Sequence, residues 1–326
     1  MLWQAALATF AIALLSLKVL ISELGRRLVL DHPNERSLHE RPVPRTGGIA
    51  IVAAVAVGWA VAQPDFAAAL GLAAALAALS LLDDVFGLPT ALRFGAHLAA
   101  AAALVSVELR FPGWPLFIVL VLALAWYANL YNFMDGSDGL AGGMALIGFG
   151  AYAVAAQLAG AQPLATVCVL LAVGAAAFLT RNFPPARIFL GDVGSVPLGF
   201  LAGALGLVGW NDRLWPLWFP LLVFAPFVCD ATLTLLRRLA RGERVWQAHR
   251  DHYYQRLVRM GFGHRGAAVI EYTVMAACAV AALLASESTV ATQAGTLAAA
   301  AAALGVIAVW VDLRWARYVR ETEGAA

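Results

Sequence analysis

Apolar residues in this chain come in long unbroken runs rather than in alternation or in one-sided helical stripes. The first, LWQAALATFAIALLSLKVLIS at residues 2–22, is long enough to cross a bilayer, whose hydrocarbon layer takes roughly 20 residues of helix. It lacks the basic leader region and small-residue cleavage site of a secretory signal, so it is expected to remain as a first helix. Further runs near 46–63, 65–82, 90–107, 113–134, 139–159, 162–180, 193–210, 214–236, 266–285 and 292–313 bring the expected number of spans to eleven. The predicted fold is all-α and polytopic. No stretch is left over for a soluble unit, so residues 1–326 read as a single integral membrane domain.

Composition agrees: the chain is 62% hydrophobic and 13% charged, too few charges for a water-facing surface. The formal net charge of +2 is nearly neutral, and no nucleic-acid partner is expected. Its distribution is more telling. With the amino terminus outside, Arg110 and Arg213 alone fall on the outer side, and Lys18 lies near the inner end of the first span. The rest of the 22 basic residues flank inner ends, as the positive-inside rule requires. The expected orientation is therefore amino terminus periplasmic, carboxyl terminus cytoplasmic. Cys168, Cys229 and Cys278 lie singly inside spans without CxxC spacing, so neither a disulfide framework nor a thiolate metal site is expected.

On this topology six acids fall at one membrane face: Asp83, Asp84, Asp135, Asp138, Asp192 and Asp230. Each has an ordinary reading. An Asp pair can cap a helix, NFMDGSDG is rich in turn formers, and inner Arg residues determine topology. Those readings do not account for all of them meeting on one face. Ionisable groups at a membrane boundary are costly and usually functional or paired. Clustered carboxylates raise one another's pKa, and a bound cation relieves them. Oxygen ligands from Asp and Asn suit a hard ion such as Mg2+, which keeps few protein ligands and takes phosphate oxygens for the rest. Glycines in DGSDGLAGG and FLGDVGS let backbone approach a ligand closely, and each precedes a helix whose N–H groups favour an anion. The pattern suits a metal-bound phosphate or diphosphate.

LLDDVFGLPTALRF, NLYNFMDGSDGLAGG, RNFPPARIFLGDVGS and HRDHYYQRL, preceded by HPNERSLHERPVPRTGG, resemble in order and membrane side the polyprenyl-phosphate N-acetylhexosamine-1-phosphate transferases. That family includes bacterial undecaprenyl-phosphate N-acetylglucosamine-1-phosphate transferases and phospho-N-acetylmuramoyl-pentapeptide transferases, and the likeness runs over about residues 1–320. The resemblance implies transfer of sugar-1-phosphate from a UDP-activated N-acetylated amino sugar to undecaprenyl phosphate, releasing UMP, with Mg2+ (or Mn2+) as cofactor. It implies a multi-pass protein of the bacterial inner membrane with a cytoplasmic active site; a homodimer is left open. By motif, Asn132 and Asp192 match the metal positions. Asp83 and Asp84 match the family's acidic pair and Arg93 a basic position suited to the lipid phosphate, while Asp135, one turn from Asn132, is expected to complete the polar wall around the diphosphate; these four are the expected catalytic residues. Asp138 and Asn182 match uridine-binding positions, and Phe189 matches an aromatic that stacks on uracil. His249, Arg250, His252 and Arg256 fall in the loop that contributes to sugar recognition, with His249 and His252 expected on one helix face. Relatives often carry Asp at the position of His249 and His at those of Tyr254 and Gln255. The form seen here looks more like the branch that starts O-antigen or exopolysaccharide chains. The rival class, a lipid-linked sugar transporter or flippase, would place acids at mid-membrane depth or show inverted repeats.

Overall fold

The computed structural model describes residues 1–22, 30–31, 38, 42–110, 113–245, 247 and 249–323. Arg26, Arg27, Arg36 and Arg41 of the first inner loop lie outside them. The apolar runs are helices: α1 (Leu2–Ile21), α2 (Gly47–Ala62), α3 (Ala67–Phe86), α4 (Thr90–Glu108), α5 (Trp114–Phe133), α6 (Leu140–Leu158), α7 (Gln162–Asn182), α8 (Asp192–Asn211), α9 (Trp218–Val223), α10 (Ala225–Ala240), α11 (Tyr253–Leu257), α12 (Gly263–Ala285) and α13 (Val290–Glu323). Before α2, β1 (Leu30–Asp31) and β2 (Val43–Pro44) form an antiparallel pair with Leu30 opposite Pro44.

Among the described residues nine helical segments are long and apolar enough to cross a membrane, with α11 to α12 counted as one. Two expected spans differ. At 16 residues α2 is apolar but shorter than those nine segments. The run 214–236 is not one helix but α9 and α10, broken at Phe224. Pro226, in the first turn of α10, lacks the N–H that would continue the helix from α9. The three cysteines are free, as expected.

α8 is the axis of the fold. Every residue from Val193 to Gly209 is buried, whereas most of α13 is exposed. Small residues explain the packing, because in lipid helices associate by close van der Waals approach rather than by hydrophobic exclusion. A Cβ at Gly199 would strike the backbone of Tyr127 and Ala128 on α5, and one at Gly48 on α2 would strike the backbone of Gly194. At its amino-terminal end α8 is tied to the start of α2. Phe189 N–H donates to Pro44 O at 2.7 Å, Gly47 N–H to Phe189 O at 2.9 Å and Gly48 N–H to Leu190 O at 2.8 Å.

Candidate active site

Two cavities open at the end of the bundle where α3, α5 and α7 finish and α4, α6 and α8 begin. One, about 270 Å³, is lined by Asp31, Arg45, Asn132, Asp135, Asp138, Asn182, Phe189, Asp192, Gln255 and His264, with glycines 136 and 191 in its wall. The other, about 430 Å³, is lined by Asp83, Arg93, His97, Asn129, Asn132, Asp192, His249, His252 and Gln255 together with apolar Leu79, Phe94, Phe133, Val196, Leu235 and Val245. Asn132, Asp192 and Gln255 belong to both. The stretches that the sequence placed on one face do converge, and they do so around this shared wall.

The wall is built on two helix ends. Asn132 sits in the last turn of α5 and Asp192 is the first residue of α8. Gly191 turns the chain there at φ +70°, in the left-handed region, with its missing Cβ against the carbonyl of Arg45; only glycine takes both demands without strain. Asn132 Nδ2 donates to Asp192 Oδ1 and to Ser195 Oγ, both at 2.9 Å, which leaves its Oδ1 and the second Asp192 oxygen for a ligand. Arg93 Nη1 lies 3.9 Å from that second oxygen. Among the described residues no three His, Cys, Asp or Glu form a metal cage. An open pair of oxygen donors is nevertheless what Mg2+ accepts when phosphates complete its shell, so the residues present fit that ion.

Asp83 and Asp84, adjacent in sequence, part company. Asp83 lines the larger cavity, where it accepts from Arg93 Nη1 at 2.7 Å and from Leu88 N–H at 2.7 Å. Asp84 turns away to an ion pair with Arg45 and lines neither cavity. Asp135 stands in the smaller cavity. Burial and the neighbouring Asp192 carboxylate push its pKa well above the usual carboxylate range, against the pull of Gly191 N–H, which donates to it.

The next residues shape the cavity floor. Asn182, buried, accepts from Gly139 N–H at 2.9 Å and donates to Ile188 O at 2.9 Å. Asp138 accepts from Ala186 N–H at 2.9 Å. Both thus hold the loop that carries Phe189, while still lining the cavity. His264 closes the far side: its Nδ1 accepts from Asp138 N–H at 3.3 Å, so Nε2 carries the hydrogen that reaches Leu38 O at 3.0 Å.

The loop before α11 departs from expectation. His249 and His252 do not share a helix face, because α11 starts only at Tyr253; their rings nonetheless meet, with centroids 4.9 Å apart. Burial, His252 and Arg238 push His249 down to about 4, so it is neutral at pH 7. The residue that organises the loop is Asp230. Its Oδ1 takes His252 Nδ1 at 2.9 Å and Tyr253 N–H at 3.1 Å, and its Oδ2 takes Tyr254 N–H at 3.1 Å. Arg250 and Arg256 are not brought to either cavity. Arg256 instead bonds Asp312 of α13 at 2.9 Å. Sequence reasoning gave no role in the site to Arg45, His97, Gln255 and His264. Asn129 was visible in the Asn/Asp spacing of NLYNFMDGSD, while those four come from segments whose meeting only the fold discloses.

Glycosyl transferase family 4 matches residues 66–209. Over 305 residues the chain is 27% identical to the probable undecaprenyl-phosphate N-acetylglucosaminyl 1-phosphate transferase of Bacillus subtilis, covering 86% of this chain and 85% of that protein. Over 308 residues it is 30% identical to the decaprenyl-phosphate N-acetylglucosaminephosphotransferase of Mycobacterium leprae, covering 78% and 76%. Over 274 residues it is 26% identical to the undecaprenyl-phosphate alpha-N-acetylglucosaminyl 1-phosphate transferase of Escherichia coli K12, covering 74% and 72%.

Proposed function

The chain belongs to the polyprenyl-phosphate hexosamine-1-phosphate transferase family, and from that premise we propose that it transfers sugar-1-phosphate from a UDP-N-acetylhexosamine to undecaprenyl phosphate, releasing UMP. The observation that carries this reading is the pair of cavities sharing Asn132, Asp192 and Gln255. A direct displacement needs two substrates resident together with their reacting phosphates at one point, and the shared wall is such a point.

The smaller cavity suits the nucleoside diphosphate. Phe189 offers a ring for the base, Asp138 and Asn182 hold the loop beneath it, and Arg45 supplies positive charge. The larger cavity suits the lipid phosphate and the sugar. Arg93 and Asp83 stand at its polar end, His249 and His252 on its loop side, and Phe94, Leu79 and Leu235 give an apolar path for the prenyl chain. An oxygen of the lipid phosphate attacks the β-phosphorus of the donor. The bond from that phosphorus to the bridging oxygen breaks, and UMP departs with the electron pair.

Phosphoryl transfer of this kind needs mainly positioning and charge neutralisation. Asn132 and Asp192 would hold Mg2+, with Mn2+ as a substitute. When bound there, the ion would offset the charge of the diphosphate as it builds on the leaving oxygen. Asp83 rather than Asp84 is placed to orient the attacking phosphate. Its duty as a base is light, because a phosphomonoester loses its second proton near pH 6.

The Lys and Arg asymmetry supports a cytoplasmic position for this end of the bundle, in the bacterial inner membrane. The product would begin a cell-surface polysaccharide of O-antigen or exopolysaccharide type. The transporter reading has one intramembrane acid in its favour, Glu271 of α12, which lines neither cavity.

UMP release by the purified protein, given undecaprenyl phosphate, Mg2+ and UDP-N-acetylglucosamine, tests the proposal. Asp192→Asn and Asn132→Ala should each lower turnover by about 100-fold or more, the scale of losing a main electrostatic contact to the transition state, without loss of folding. Full turnover after chelation, or in both variants, would overturn the metal assignment.

A further inference from the structure

The larger cavity holds an imidazole to which none of the roles above is assigned. His97 lies one turn beyond Arg93 on α4, is 7% exposed and lines the cavity beside Asp83, Arg93 and Asn129. A buried polar side chain in a membrane helix needs a partner, and His97 has one at a single nitrogen. Asn129 Nδ2 donates to Ala125 O at 2.7 Å. Since a carbonyl only accepts, that bond fixes which way the amide faces. The same nitrogen reaches His97 Nδ1 at 3.1 Å, so Nδ1 accepts and the ring hydrogen sits on Nε2. Nε2 has no partner among the described residues, nor is it one of the sealed, orphaned polar atoms of the structure. Its N–H is open to the cavity.

We propose that His97 is a neutral hydrogen-bond donor to the phosphate of the lipid acceptor, with Asn129 as the positioning residue that fixes its tautomer. This rests on the reading that the larger cavity receives a polyprenyl phosphate. The Arg93 guanidinium nearby is already shared, its Nη1 lying 2.7 Å from Asp83 and 3.9 Å from Asp192. A second full cation would hold the phosphate more firmly but would blunt its attacking oxygen. An uncharged N–H can instead grip a non-attacking oxygen and leave the nucleophile its charge. The placement also favours the acceptor over the donor, because His97 lines the larger cavity and not the smaller one.

His97→Leu should raise the KM for undecaprenyl phosphate by about 10- to 100-fold, the range for losing one hydrogen bond to a charged group, and leave the KM for the UDP-sugar within about twofold. His97→Gln, which keeps an N–H donor and an acceptor for Asn129, should recover most of that loss. A second measurement needs no turnover. Native mass spectrometry of the purified protein should show His97→Leu weakening retention of undecaprenyl phosphate but not of undecaprenol, which lacks the phosphate. Unchanged retention of undecaprenyl phosphate in His97→Leu, equal loss of undecaprenol, or a Gln variant no better than Leu would overturn the proposal. Should the wild type fail to release UMP while the retention pattern holds, the transferase reading falls and the phosphate site stands.

Discussion

Asp135 keeps its carboxyl where ionisation is disfavoured, since burial and the charge of Asp192 both act against the anion. Groups held this way usually serve a ligand rather than the fold. Asp135→Asn should therefore raise the melting temperature of the metal-free protein in detergent while lowering transfer. The direction with pH follows from linkage. The unfolded carboxyl ionises from about pH 4 upward, whereas the folded one holds its proton, so wild-type stability declines as pH rises above that point. The advantage of the Asn variant should be absent near pH 4 and grow toward neutrality; a gain independent of pH would rule out this origin. At this scale the sequence is a good guide to residue type and a poor one to direction. Asn132 and Asp192, 60 residues apart, could be paired from their motifs. That Asp83 faces the cavity and Asp84 faces Arg45 could not, because neighbours on a helix differ by about 100° in direction and only the packing of α3 selects which points where. Arg250, in the loop before α11, and Arg256, within α11, line neither cavity, because the packing of that segment sets their directions and no residue count discloses it.

For the elements, the apolar runs were enough to locate nearly all the helices, since run length against bilayer thickness is a strong constraint. Two features escaped it. The break at Phe224 depends on how a proline's missing donor is resolved by its surroundings, and the choice of partners depends on where small residues let backbones meet. Gly48 and Gly194 form such a meeting. Gly48→Ala would put a methyl group into the backbone of α8, and overpacking of this kind costs about 1–3 kcal/mol. A clear drop in melting temperature is expected. Gly71→Ala on α3, which has open space around it, should instead be neutral or slightly stabilising through helix propensity. Equal effects at the two glycines would count against close α2–α8 contact as the reason for Gly48. That contact matters for the site, because it is continuous with the backbone bonds that set Arg45 against Gly191, the residue before Asp192.

Over the molecule as a whole, the most buried helix carries Asp192 and the most exposed one closes the chain. α13 has 34 residues, about 51 Å of helix at 1.5 Å per residue against roughly 30 Å of hydrocarbon, so its last turns, with Arg314, Arg317 and Arg320, extend beyond the bilayer. Their side is testable. In a background without the three native cysteines, a cysteine at the end of α13 should react with an impermeant thiol reagent only from the cytoplasm, and Arg110→Cys only from the periplasm. Labelling with the two sides exchanged would reverse the assignment of the site to the inner leaflet, and labelling of both from one side would overturn the number of spans between them. The wall that Asn132, Asp192 and Gln255 lend to both cavities carries a corollary for ligand design. One molecule joining a nucleoside to a long-tailed phosphonate would straddle it, and its second half would engage at an effective concentration on the order of millimolar. The joint between the halves would then govern selectivity more than either end.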